Sequence, residues 1–282
     1  MNDLRWHPYD LIFFDCDSTL SSIEGIDELA KLSGKEEEIA ALTNKAMNGE
    51  LDLQDVYGAR LQAIQPTKAQ LKAIEERYWQ TLVPDALEVI AALHFLNKQV
   101  FVISGGLAEP VRGFARRLGV APERVRAVEL EYNALSGHWW RYHDPSQLGQ
   151  QKFMDYDNGP LTVSSGKPQV VEELSNGNKA RSLFVGDGAS DLATRSTVDL
   201  FVGFGGIVAR ENVRIGADVW LTAKTLAPIL PLAAGANGYA RCVGTPHQKV
   251  FDKGIALTRT AMVEIADETI RHSFEESFSL IS

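Results

Sequence analysis

The stretch Tyr9-Asp10-Leu11-Ile12-Phe13-Phe14-Asp15-Cys16-Asp17-Ser18-Thr19 decides the fold. Its apolar run is short, unbroken and aromatic, which predicts a β-strand buried on both faces. The run stops at Asp15, and the residues after it read as a loop. In a loop, two carboxylates can turn into one site. One can then act as a nucleophile and the other as acid and base, provided their surroundings split their pKa values. The alternative is an acidic turn with Thr19 capping a helix, since Asp, Ser and Thr cluster at turns. Cys16, between the two acids, is expected to point away from them and pack.

Working outward, two more buried strands follow the same plan. Residues 99–103 end in Ser104-Gly105-Gly106, and residues 181–185 end in Gly186-Asp187-Gly188. Shorter strands are expected at 200–203 and 218–222. Helical patterns lie between them, at 84–95, 107–118 and from Gly166-Lys167-Pro168 to about 174. Strands alternating with helices predict an α/β fold with a mainly parallel sheet and helices on both faces. Four helical stretches, at 24–32, 36–48, 52–64 and 66–80, interrupt the alternation and read as an insertion after the first strand. A hairpin is expected from residues 125–132 and 138–142 around the turn at 133–137. Trp139 and Trp140 in it read as packing. Residues 250–274 are expected to form one long amphipathic helix that must cover apolar surface. Packing on its own core, dimerisation and shielding of the site are all open roles for it.

The formal net charge of −9 argues against a nucleic-acid partner, which would call for a basic face. It does not exclude a phosphorylated small molecule, because local cations can hold a phosphate whatever the global charge. Two distant cysteines, Cys16 and Cys242, make no disulfide framework, so a reducing, cytoplasmic setting is expected. The first ten residues lack the apolar segment of a signal peptide. The apolar residues 226–240 are broken by Pro228, Pro231, Gly235 and Gly238, so no membrane partner is expected.

In open parallel sheets, ligands bind beyond the carboxyl ends of the strands. Three apolar strands here end at Asp15, Ser104 and Asp187, which predicts two carboxylates and a hydroxyl converging on one crevice. Asp191 falls in the first turn of the helix after Asp187. Carboxylates plus phosphate oxygens suit a hard cation such as Mg2+. Lys167 sits at a helix start, where a cation opposes the helix dipole; holding a phosphate would account for it, as would plain solvation.

Asp15/Asp17/Thr19, Ser104, Lys167 and Asp187/Asp191, in that order, resemble the haloacid dehalogenase superfamily of phosphatases. The resemblance covers about residues 9–227. It implies a three-layer, Rossmann-like core (1–20 and 83–227), a helical cap (21–82) and a C-terminal helical extension (228–282) that it does not cover. Asp15-Cys-Asp17-Ser-Thr19 with Glu24-Gly-Ile-Asp-Glu28, Ser104-Gly-Gly106, Ala46-Met47-Asn-Gly49, Arg60 and Phe201-Val-Gly-Phe-Gly-Gly206 with Val208 and Arg210 narrow it to the branch that hydrolyses L-phosphoserine, at the last step of serine biosynthesis. Phosphohomoserine or another small phosphate monoester is the alternative substrate. A signalling module that is merely phosphorylated on Asp15 is the alternative from another class.

By that resemblance, Asp15 is the nucleophile and Asp17 the acid and base. Mg2+ is held by the Asp15 carboxylate, the Asp17 carbonyl and Asp187, with Asp191 in support. Ser104, the Gly105 N–H and Lys167 bind phosphate oxygens. Glu24 suits a substrate ammonium and Arg60 a substrate carboxylate, although either could be an ordinary surface residue of a helix. Met47 and Leu53 are an apolar wall of the substrate pocket or the interior of the cap. Ser190 and Leu53 depart from the superfamily pattern, the first from an expected Asn or Thr, the second from an expected Phe. Both bear on substrate fit.

Overall fold

In the computed structural model, residues 6–47, 53–133, 151, 153–175, 177 and 180–279 are described. Strand β1 (Leu11–Phe14) is followed by α1 (Gly25–Leu32), α2 (Glu36–Met47), α3 (Leu53–Ile64) and α4 (Lys68–Gln80). Helix α5 (Ala86–Phe95) then returns the chain to β2 (Gln99–Leu107), and α6 (Ala108–Arg117) leads to β3 (Val125–Val128). After β4 (Leu130–Tyr132) and β5 (Phe153–Tyr156) come α7 (Lys167–Ser175), β6 (Ser182–Gly186), α8 (Ala189–Leu192), β7 (Leu200–Phe204), α9 (Glu211–Gly216) and β8 (Val219–Leu221). The last elements are α10 (Ile229–Cys242), α11 (Gln248–Thr258), β9 (Val263–Ile265) and α12 (Glu268–Ser277).

Strand β1 is apolar throughout because both its faces are covered. Leu11 and Phe13 join Phe101, Phe184 and Phe201 on one face, and Ile12 and Phe14 join the larger cluster on the other, as a side-chain period of two requires. Phe13 stacks between Phe101 and Phe184, with ring centroids 4.8 and 6.3 Å away. Val170 and Val171 of α7 and Val213 of α9 cover the first face. Val89 and Leu93 of α5, Val111 and Phe114 of α6 and Leu230 and Leu232 of α10 cover the second.

The seven-stranded sheet has the order β3-β2-β1-β6-β7-β8-β9. All its pairs are parallel except β8 with β9. From β1 the chain first builds outward through β2 and β3, then restarts on the other side at β6. That reversal is the switch point at which such sheets leave a crevice. Phe14 lies opposite Val102 of β2 and Val185 of β6, so Asp15, Ser104 and Asp187 emerge at the same edge.

Helices α1 to α4 fall where the four helical stretches were expected. Thr67 caps α4 with its hydroxyl on the Gln70 N–H, while the Gln70 side chain accepts from the Thr67 N–H. A bridge between Ser21 and Leu82 brackets the segment, and the Leu20 carbonyl accepts from the Val83 N–H at 2.9 Å. Helix α4 rests on α6 through Arg117, which binds Glu76 at 2.7 Å and covers the Trp79 ring at 4.1 Å.

Two expectations are corrected. Residues 125–132 are not one continuous strand. The chain leaves the main sheet after Val128, and among the described residues Leu130–Tyr132 pairs antiparallel with Phe153–Tyr156. A partner that far along the chain leaves no short-range signal. Residues 138–142 lie outside the described residues. Nor do residues 250–274 form one helix. The Thr258 and Thr260 hydroxyls donate back to the Ile255 and Leu257 carbonyls at 2.8 and 2.7 Å as α11 ends. Residues 263–265 then pair with β8, and Asp267 caps a new helix by accepting from the Thr269 and Ile270 N–H groups. Of the three roles left open, this region packs on its own core. The Trp6 indole N–H donates to the Leu232 carbonyl at 2.9 Å, and the Trp6 ring meets Phe274 edge to face at 5.0 Å.

Candidate active site

The loop after β1 turns tightly around one carbonyl. Thr19, Leu20 and Ser21 all donate their N–H groups to the Cys16 oxygen, at 3.3, 2.9 and 3.0 Å, and Ser18 takes a positive φ of 52°. This turn buries Cys16 in the core and leaves Asp15 and Asp17 on the crevice. Burial pushes the Cys16 thiol up, which suits a packing residue.

Asp15 is buried and accepts a hydrogen bond from Lys167 Nζ at 2.7 Å. The same ammonium reaches Asp191 at 2.5 Å. Lys167 begins α7, and its side chain is only 6% exposed. A buried ammonium at a helix start is costly unless paired, and here two carboxylates compensate it. Burial alone would pull the Lys167 ammonium down, but Asp15 and Asp191 outweigh it and hold it well above the ordinary lysine value. Burial and the neighbouring Asp191 push Asp15 up, and Lys167 opposes them.

Asp17 has different neighbours. Its Oδ1 accepts from the Tyr78 hydroxyl and from the Gly25 N–H, both at 2.7 Å. Its Oδ2 accepts from the Ser104 hydroxyl at 3.3 Å, and Ser104 Oγ in turn accepts from the Gly106 N–H at 2.9 Å. Burial, and then the charge of Glu24, push its carboxyl up to about 6, against the Tyr78 and Gly25 hydrogen bonds. One acid is thus tied to a cation and the other to neutral donors. That is the environment difference that separates two carboxylates into two roles.

Asp187 accepts from the Thr19 hydroxyl at 3.2 Å and from the Arg210 guanidinium. Burial and Asp191 push it up to about 7, against Arg210. Single oxygens of Asp15, Asp187 and Asp191 lie within 4.8 Å of one another. This buried, all-oxygen donor set fits a hard divalent cation. Asp191, expected only in support, puts an oxygen into the cluster itself. The Asp17 carboxylate is not one of the three.

These residues line a cavity of about 340 Å³ together with Glu24, Arg60, Gly105 and Ser190. Glu24 directly precedes α1 and accepts from the Ser18 hydroxyl at 2.8 Å, with Arg210 at 3.9 Å. Ser104 is wholly buried behind the cavity wall. Met47 closes α2, but its side chain lies outside the described residues, as does that of Leu53. The apolar lining among the described residues includes Ile26, Val56 and Leu161. Val56 stands one turn before Arg60 on α3, a spacing the sequence did offer. Leu161, in the connection before α7, carried no such signal. Nor did Tyr57, whose hydroxyl donates to the Gly105 carbonyl at 2.9 Å. In the sequence Arg210 is only one member of a pattern; nothing in its spacing says that it reaches Asp187 and Glu24.

Paired acids and a buried lysine meet at the switch point of a parallel sheet with helices on both faces. The chain belongs to the haloacid dehalogenase-like hydrolases, whose family model matches residues 9–195. A mouse protein named phosphoserine phosphatase is 33% identical over 214 residues, 76% of this chain and 89% of its own length. An Arabidopsis thaliana protein named phosphoserine phosphatase, chloroplastic, is 31% identical over 223 residues, 78% of this chain and 70% of its own. A solved structure titled as a phospho-aspartyl intermediate analogue of phosphoserine phosphatase superposes with a TM-score of 0.63 at 25% identity, covering 79% of this chain and 98% of that one.

Proposed function

We propose that this enzyme is a Mg2+-dependent phosphatase that hydrolyses L-phosphoserine to serine and phosphate through a phosphorylated Asp15. The observation that carries the reading is the contrast between Asp15, tied to Lys167, and Asp17, tied to the neutral donors Tyr78, Gly25 and Ser104. The names of the relatives, and a further solved structure titled as a substrate-bound phosphoserine phosphatase complex at 25% identity and a TM-score of 0.63, support the substrate.

An ionised Asp15 oxygen attacks phosphorus, and the bond from phosphorus to the serine oxygen breaks. Asp17, entering protonated, gives its proton to that leaving oxygen. A water then attacks the phosphorus of the aspartyl phosphate and passes a proton to Asp17. The bond from phosphorus to Asp15 breaks, phosphate leaves, and both acids return to their starting states. Lys167, the Ser104 hydroxyl and the Gly105 N–H hold phosphate oxygens, since phosphoryl transfer gains most from positioning and charge neutralisation. When bound by Asp15, the Asp17 carbonyl and Asp187, with Asp191 close by, Mg2+ offsets the repulsion between a carboxylate and a phosphate dianion.

Glu24 takes the substrate ammonium and Arg60 its carboxylate, and both line the cavity beside Ser190. Residues 21–82 act as a cap that supplies this half of the pocket, Met47 contributing to its apolar wall. A cytoplasmic location and a place at the end of serine biosynthesis go with this reading. A panel of phosphorylated amino acids and sugar phosphates, run with and without Mg2+, tests it. Phosphoserine is expected to rank first and to need the metal. A better turnover of phosphohomoserine or a sugar phosphate would move the assignment to that substrate.

A further inference from the structure

Tyr78 belongs to α4, yet its hydroxyl ends on the acid proposed to serve the leaving group. The side chain is wholly buried, and its ring packs against Phe114 of α6 with centroids 5.5 Å apart. Its hydroxyl donates to Asp17 Oδ1 at 2.7 Å. Burial holds the phenol well above its ordinary value, so it remains a donor.

Two glycines leave room for this contact. A Cβ on Gly25 would collide with the Tyr78 hydroxyl. A Cβ on Gly106 would lie 2.8 Å from Asp17 Oδ2 and 3.3 Å from the Tyr78 hydroxyl. One glycine stands just after Glu24, where α1 begins, and the other within the last residues of β2. Both keep clear the same small volume, in which phenol and carboxylate meet. With the Gly25 N–H also on Oδ1, the carboxylate is fixed in rotation and Oδ2 is left towards Ser104 and the cavity.

We propose that Tyr78 is a positioning residue for the acid-base step: its hydroxyl fixes Oδ1 of Asp17 so that Oδ2 faces the leaving oxygen. The inference rests on Asp17 being the acid and base, and it adds that the helical segment between β1 and α5 aims that acid. Tyr78 is wholly buried and is not among the residues that line the cavity. Its effect therefore follows the demand of the leaving group for a proton, not the affinity for phosphate.

The test compares kcat/KM for phosphoserine, whose alkoxide leaving group needs a proton, with kcat/KM for p-nitrophenyl phosphate, whose phenolate leaves without one. Each value reports the steps through the first irreversible bond cleavage, so later hydrolysis of the intermediate does not enter. Tyr78→Phe keeps the ring on Phe114 and removes only the hydroxyl. It is expected to lower the phosphoserine value about ten-fold more than the p-nitrophenyl phosphate value. Asp17→Asn should shift the same ratio further, by about a hundred-fold. If Asp17→Asn lowers both substrates equally, the acid-base reading itself fails. If Asp17→Asn shifts the ratio and folded Tyr78→Phe does not, Tyr78 is only structural and the proposal is overturned. Should Tyr78→Phe fail to fold, Gly25→Ala decides, because it displaces the hydroxyl while keeping the phenol; an unchanged ratio there overturns the proposal equally.

Discussion

The two halves of the crevice are built from opposite materials. The sheet half holds charge in the dry interior: Lys167 between Asp15 and Asp191, none more than 8% exposed. The helical half touches the site mostly through neutral donors, the Tyr78 and Tyr57 hydroxyls and the Gly25 N–H. Its ionic contact is the looser one of Glu24 with Arg210, 42% and 37% exposed. Buried opposite charges give a rigid site for the phosphate, whose chemistry does not vary. Neutral hydrogen bonds from helices are cheaper to rearrange, and here they hold Asp17 and the Gly105 carbonyl from the side that the helical segment supplies.

The comparison can be broken at several points. Asp15→Asn should reduce phosphate release to background, since it removes the carboxylate proposed to attack phosphorus; substantial residual turnover would move the nucleophile elsewhere. Lys167→Met leaves two buried carboxylates face to face. Urea unfolding in chelator should show a loss of about 3 kcal/mol, a cost expected of a broken buried pair, and an unchanged midpoint would mean that the charged core is not what stiffens this half. Arg60→Ala should raise KM for phosphoserine about thirty-fold, the loss of a charge-assisted pair of about 2 kcal/mol, and leave KM for p-nitrophenyl phosphate nearly alone. Equal rises for both substrates would place Arg60 on the phosphate and erase the division. The smallest effect is expected of Tyr57→Phe. It removes one neutral hydrogen bond to the Gly105 carbonyl, worth about 1 kcal/mol, and should lower kcat/KM about five-fold with little change in stability.

The same division explains what the sequence discloses. In the sheet half, buried strands read as apolar runs, and the abrupt polar residue after each run marks the site: Asp15, Ser104, Asp187. Lys167 is a weak signal alone and gains meaning only from its place in that order. The helical half is harder to read. Tyr78 lies on a helix whose buried positions also include Leu71 and Ile74, so it reads as one more packing residue. Only the fold shows that its hydroxyl leaves the helix for Asp17. Tyr57 and Arg210 are similar cases: each reaches a partner far away in sequence, Gly105 and Asp187, and no local spacing encodes that reach. The misread strands share a cause. Residues 130–132 and 263–265 are too short to show a period of their own, and distant pairing, with strand β8 in the second case, decides their state.

That last strand bears on how the protein behaves when cut. The match to the family ends at residue 195, and the likeness noted in the sequence at about 227. Yet Val263, Glu264 and Ile265 occupy the free side of β8, opposite Leu221, Trp220 and Val219. A chain trimmed to the shared region would keep every acid of the crevice and expose the backbone of an apolar sheet margin, a template for strand addition by another copy. Such a trimmed protein is expected to fail first by self-association and only then by loss of chemistry.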